Sequence, residues 1–290
     1  MQTAPYRFQL LAPPGTPSSK VLGVITSNPH AYEQYLGSMQ KLRAQTYLAD
    51  GAIGPEQLDE HGRFRMHRDE ESWHFLLVSS EDEVVGCVRY LTHSPSACVD
   101  DLSISHCPIA NDPVWGDKFR KALENDLIFA RENLLTFVEV GGWAIERSYR
   151  HTRAALEILL ASFSWARMIG GAIGCCTATF RNNSATMLRR IGGCSIEYNN
   201  HPIPAYDDAG YGCMMEVLRF RFQNFDPRFQ KMVDNIYDRI GEQRTIAASL
   251  EDEVCEQEAI KTSDGLQALG RALQSANQTV GTTAGILLRS

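Results

Sequence analysis

Two kinds of hydrophobic spacing alternate along the chain. Short runs, apolar at every second position or continuously, predict strands over 21–27, 73–80, 84–91, 137–145, 172–180, 194–198 and 212–222. Between them apolar residues recur every third or fourth position and predict helices. The first covers 30–48 through Tyr32, Tyr35, Leu36, Met39, Leu42 and Tyr47; the second covers 114–134 through Phe119, Leu123, Leu127 and Phe129. Two more run over 152–169 and 227–240, and a short one starts at the capping residues Asn182, Asn183 and Ser184 and ends at Gly192-Gly193. The polar triplet Glu81-Asp82-Glu83 makes 73–80 and 84–91 an antiparallel hairpin. This order of elements predicts one α/β or α+β domain, a mixed sheet with helices on both faces.

The flanks lack such periodicity. Residues 1–19 hold Pro5, Pro13, Pro14 and Pro17 and predict a flexible leader, so the domain is placed at 20–240. Residues 241–290 predict an acidic helical extension running into a poorly ordered Ser/Thr/Gly tail. The polar stretch 50–72 reads as a long functional loop. No internal repeat, secretory signal or membrane-length apolar run is evident, which points to a cytoplasmic protein with its eight cysteines reduced. Cys87, His93, Cys98, His106 and Cys107 match no usual zinc spacing, and His61, His67, His74 and His151 show no ligand pattern, so no metal is expected.

Charge changes the picture in one place. The chain carries a formal −7, which gives no support to a nucleic-acid role. Between residues 139 and 193, however, seven arginines stand against three glutamates, a local net of +4. That segment contains FVEVGGWAIERSYRHTRAALEIL, a strand, a Gly pair, a basic turn and a helix start. Arg147, Arg150 and Arg153 fall where first-turn N–H groups are unpaired, a place for a small anion such as a pyrophosphate; the plain alternative is a solvated arginine cluster. Gly141-Gly142 fits a bulge that re-aims a backbone N–H. Cys175 and Cys176 lie mid-strand and read as buried, inert thiols, and Trp143, Phe163 and Trp165 either line a tunnel or fill the core.

The stretch VEVGGWAIERSYRHTRAALEIL resembles the acyl-CoA-binding motif of the GNAT N-acyltransferases, and FRNNSATMLRRIGG resembles the helix that follows it. The resemblance covers residues 20 to 222. It implies a largely antiparallel central sheet, a donor arm held by Val140, Gly142, Arg150, Arg153, Ala154 and Ala155, and a carbonyl polarised at Gly141. Glu139, opposite in alternation to Val138 and Val140, is the expected general base, facing the cleft. LRAQTYLADG, SWHFLLV and VVGCVRYL further resemble the autoinducer-synthase and N-acyl amino acid synthase branch, which implies acceptor-side roles for Arg43, Tyr47, Asp69 and Arg89. The implied donor is acyl-CoA or an acyl carrier protein, used as a co-substrate with no permanently bound cofactor, and the implied acceptor is a primary amine such as an amino acid. Three positions depart from the pattern. Arg153 replaces a usual Gly, Gly142 a usual Arg of the autoinducer synthases, and Leu188 the Tyr that serves as general acid, leaving Tyr149 and Tyr211 as candidates. A short-chain acetyltransferase and a catalytically silent GNAT-shaped binding protein are the competing expectations.

Overall fold

The computed structural model describes residues 6–17 and 24–251. The strands are β1 (Tyr6–Ala12), β2 (Ile25–Ser27), β3 (Trp73–Ser79), β4 (Val84–His93), β5 (Thr136–Ile145), β6 (Ala172–Thr179), β7 (Cys194–Ser195), β8 (Glu197–Tyr198), β9 (His201–Pro202), β10 (Tyr206–Asp208), β11 (Cys213–Arg221) and β12 (Thr245–Ala247). The helices are α1 (Pro29–Ala49), α2 (Gly116–Glu132), α3 (Arg153–Met168), α4 (Ser184–Arg190) and α5 (Gln230–Gly241). Ten strands form one sheet in the order β10-β11-β6-β5-β4-β3-β1-β12-β2, with β7 alongside β11. Pairing is antiparallel except for β5–β6, β1–β12 and β12–β2.

Side-chain alternation sorts the two faces. Leu76, Val78 and Cys87 point to α1, packing with Tyr32, Leu36 and Met39. Phe75, Leu77, Val88 and Tyr90 point the other way, against α3 residues such as Ile158 and Trp165. A third cluster sets Phe137, Ile173 and Cys175 under Phe119, Leu123 and Leu127 of α2. Helix α3 is apolar on most of its circumference because α5 covers its outer side through Val233, Ile236 and Ile240. Phe163 and Trp165 belong to this core, the indole stacked on Tyr90 with ring centroids 5.4 Å apart. Helices on both faces of a mixed, mostly antiparallel sheet agree with the expected class.

Both flanking expectations need correction. Residues 6–12 are an inner strand: β1 pairs with β3 from Tyr6–Ser79 to Leu11–His74, and Phe8, Leu10 and Leu11 are buried. The prolines bracket this strand at 5 and 13, so they end it without interrupting its ladder. On the other flank Thr245–Ala247 is not helical; it inserts between β1 and β2. The rest of the expected extension and tail lies outside the described residues, as does the start of the strand expected at 21–27.

Two irregularities at the middle of the sheet set up the site. Strands β5 and β6 pair in parallel from Thr136–Ala172 to Glu139–Cys175, and the ladder stops there. Beyond that point the two strands part. On the other edge of β5, Cys87 faces Ala144 while Arg89 faces Gly141, so two steps on β4 span three on β5. The extra residue is the expected bulge. Gly142 adopts φ 62°, and a Cβ there would lie 3.1 Å from the Arg43 guanidinium, so both the backbone and the space call for glycine.

Candidate functional site

Where β5 and β6 separate, a cavity of about 440 Å³ opens through the sheet. Its walls come from the bulged half of β5 (Val140 to Ile145), the end of β6 (Cys176 to Thr179), and Leu159, Met187 and Leu188 from α3 and α4. Tyr47 of α1 closes one side and Tyr211 another. The lining is mainly apolar and its size suits a small-molecule site. The edge of β5 past Glu139 has no strand partner on the β6 side, which leaves backbone groups there for an amide-bearing ligand to pair with.

At the mouth lies the basic turn. Arg147–Tyr149 forms a 3-10 turn, His151 adopts the left-handed conformation at φ 62°, and Thr152 caps α3, its hydroxyl accepting from Ala154 N. Arg150, His151 and Ala155 reach the cavity. Ala154 is buried in the core behind it. Arg153 does not reach it: its Nε lies 2.5 Å from Glu157 Oε1, one turn along α3. Glu157 also accepts from Tyr6 OH at 3.0 Å and Arg239 Nη1 at 2.7 Å. The expected two-arginine clamp is therefore one arginine, because the buried Glu157 claims the other.

The four residues expected on the acceptor side come together, but of them only Tyr47 lines the cavity. Arg43 is fully buried and donates Nη1 to both Asp69 oxygens, at 2.9 and 3.1 Å. Arg89, also buried, donates to His67 O at 2.6 Å and lies 3.9 Å from Asp69. Tyr47 donates to the Trp143 carbonyl at 3.3 Å, tying α1 to the bulge. Burial opposes ionisation of Asp69, but Arg43 and the groups around it outweigh this and hold its carboxyl below the ordinary range. His74, donating Nε2 to the Asp69 carbonyl at 2.7 Å, is pushed by burial down to about 4 and is neutral. Among the described residues neither Arg43 Nε nor Arg89 Nε has a hydrogen-bond partner.

Glu139 is the main correction. It does not line the cavity. Its carboxylate takes three hydrogen bonds, from His93 Nε2 at 2.8 Å, Ser103 N at 2.9 Å and Ile104 N at 2.6 Å, on the α2 face of the sheet. Burial works against its charge, yet these donors hold its carboxyl below the ordinary range. With its lone pairs so engaged, Glu139 anchors the 103–104 loop and has no free basic site facing the cleft. Val138 belongs to the α3-side core and Val140 borders the opening; Glu139 alternates away from both.

Of the remaining candidates, Tyr211 and Trp143 reach the cavity, Tyr149 does not and packs on Tyr6, and Leu188 occupies the cavity wall. Burial pushes the Cys176 thiol up to about 12 and Cys175 well above its usual value, so both are protonated at neutral pH. Among the described residues no group of three His, Cys, Asp or Glu side chains is placed to hold a metal ion, and no helix is long and apolar enough to cross a membrane. Asp50 and Arg181, which frame the mouth, carried no spacing signal: they meet only through the fold, one ending α1 and the other following β6.

No known family's sequence profile and no curated protein matches the chain. Solved structures do. A CoA-dependent acyl-homoserine lactone synthase, BjaI, with MTA, superposes with a TM-score of 0.50 at 14% identity, over 83% of this chain and 92% of that one. FeeM, an N-acyl amino acid synthase from uncultured soil microbes, gives 0.43 at 13% identity, over 76% and 93%. The chain shares the fold of that acyl-homoserine lactone synthase, a mixed sheet with helices on both faces.

Proposed function

We propose that the protein is an N-acyltransferase that moves an acyl group from a thioester, on coenzyme A or a carrier protein, to the primary amine of an amino acid. The observation that carries this is the parting of β5 and β6 beyond Glu139–Cys175, which opens an apolar cavity with a backbone bulge on its wall and a helix N-terminus at its mouth. The acyl chain lies among Val140, Leu159, Met187 and Leu188, and the donor's phosphate arm rests at Arg150 and the first turn of α3. The bulge at Gly141-Gly142 presents backbone N–H to the thioester carbonyl. The amine nitrogen attacks that carbonyl, the C–S bond breaks, and the nitrogen's proton leaves to solvent or to the thiolate. Tyr211, on the cavity wall, is the phenol assigned to hydrogen-bond the leaving sulfur.

An amino acid is favoured as acceptor by charge. Arg43 and Arg89 do not line the cavity; they lie directly behind its wall at Gly141 and Gly142 and share one contacting carboxylate, Asp69, so an acceptor carboxylate would feel their surplus charge through the bulge. A buried surplus of positive charge is costly alone and welcomes an incoming carboxylate. A long chain is favoured over acetyl by the volume and apolar lining of the cavity.

The test is to incubate the purified protein with thioesters of two to sixteen carbons and mixed amino acids, following thiol release and mass-identifying the amide, together with lipid profiling of a bacterial host that expresses it. The expected product is a long-chain N-acyl amino acid. Turnover best with acetyl thioester would establish the short-chain enzyme; no amine-dependent thiol release from any thioester would leave a binding protein.

A further inference from the structure

The bulge on the cavity wall is held by a side chain that the chemistry proposed above leaves unused. Cys87 of β4 is buried and faces Ala144 of β5 across the ladder, next to the extra residue. Its thiol donates to the Gly142 carbonyl at 3.3 Å, and the Ala144 N–H is directed at the same sulfur. One sulfur thus ties down the backbone on both sides of Trp143. Burial pushes this thiol up to about 11, so at neutral pH it keeps the proton that it donates. From α1, the Arg43 guanidinium lies against Gly142, and Tyr47 donates to the Trp143 carbonyl at 3.3 Å.

We infer that Cys87 is a positioning residue for the acyl transfer: its thiol fixes the Gly142–Trp143 peptide so that the Trp143 N–H is the donor offered to the thioester carbonyl. This rests on the acyltransferase reading above. A trans peptide is planar, with its C=O and N–H pointing in opposite directions. Cys87 packs in the cluster under α1, so a Gly142 carbonyl turned to its sulfur turns the Trp143 N–H away from that layer. Gly142 and Trp143 both border the cavity. Gly142, at φ 62°, has more backbone conformations open to it than other residue types, and the thiol selects one of them. As the amine nitrogen bonds to the carbonyl carbon, the oxygen takes up negative charge. That charge returns as the C–S bond breaks and leaves with the sulfur, which then gains a proton. An N–H aimed in advance stabilises the oxygen most at the transition state. Cys87 does not line the cavity and acts through the peptide.

The test compares wild type, Cys87→Ala and Cys87→Ser at a temperature where circular dichroism shows them folded. It follows thiol release from dodecanoyl-CoA and from dodecanoyl acyl carrier protein with mixed amino acids. Cys87→Ala, which removes the donor, is expected to lower kcat about tenfold with donor KM changed no more than about twofold. Cys87→Ser, which restores a hydroxyl donor, is expected to return to within about threefold of wild type. Packing alone predicts the reverse order, because a buried hydroxyl left without a partner costs more than a methyl group. A second readout needs no turnover and only wild type and Cys87→Ser. Their infrared difference spectrum isolates the Cys87 S–H stretch, expected at lower frequency than that of an unbonded thiol. An unshifted band, equal kcat in all three proteins, or Cys87→Ser slower than Cys87→Ala overturns the assignment and leaves the acyltransferase reading intact. A wild type that turns over neither thioester sinks that reading and the catalytic role of Cys87 with it, whatever the band shows.

Discussion

The carboxylate of Glu139 shows how far a single side chain's role depends on what lies on each face of its strand. Alternation along β5 separates Glu139 from Val138 and Val140, and that much is legible in the chain. Which face borders a cavity is not, because it follows from where β6 leaves β5. With three donors on its oxygens, Glu139→Gln should cost about 2 kcal/mol, since the amide presents its own N–H groups to at least one backbone donor, and should lower the melting temperature by roughly 5 °C. Turnover at a permissive temperature should stay within about fivefold of wild type, the loss expected of a small displacement. A hundredfold loss with unchanged melting would return Glu139 to the role of base. His74 gives a second residue-scale test. Its folded value of about 4 lies below the free side chain's 6.5, so the unfolded chain binds the proton first. This contribution is complete above pH 6.5 and is lost as pH falls towards 4, amounting to about 3 kcal/mol. Denaturant titrations across that window should show the decline, and His74→Gln should flatten it. A variant with an equally steep limb would show that the titrating group lies elsewhere.

Among the elements, those whose packing is local were the readable ones. The hairpin of β3 and β4, the strand β5, and the helices α1 and α3 all follow from continuous or periodic apolar runs, because each carries the apolar positions it buries within its own short stretch of chain. Strands β1 and β12 did not announce themselves. β12 has only three residues, and its partner Leu11 sits opposite Ile246, at the far end of the chain. Its pairing is fixed by closure of the sheet, and no local pattern encodes that. The consequence for truncation is direct. Removing residues 1–12 as though they were a leader strips Phe8, Leu10 and Leu11 from the core, each worth about 1.5–3 kcal/mol, and exposes the edges of β3 and β12. A loss near 6 kcal/mol is comparable to the whole stability of many domains. The truncated protein should be insoluble or lack a cooperative melt by circular dichroism; a sharp melt near that of the full chain would mean that β1 contributes little.

For the molecule as a whole, the sheet is built so that one ladder ends early, and the function proposed here depends on what fills the gap. The core on the α3 side does not stop at the cavity wall. Val140, Leu159 and Leu188 border the main cavity and also a smaller apolar hollow of about 10 Å³ reached past them, floored by Tyr90, Phe220 and Phe222. In the proposed enzyme the end of a long acyl chain would press towards that hollow, and Leu188 borders both spaces. Leu188→Trp should fill the passage. Its expected signature is a change in chain-length preference: about ten- to a hundredfold loss of kcat/KM for twelve-carbon and longer donors, with two- to four-carbon donors within about threefold. Equal losses at every length would mean that the substitution had disturbed the bulge or α4 and had not shortened a tunnel. The comparison separates the two, because in the proposed reaction the thioester carbonyl would stay at Gly141 whatever the chain, and only the far end of a long chain would meet residue 188.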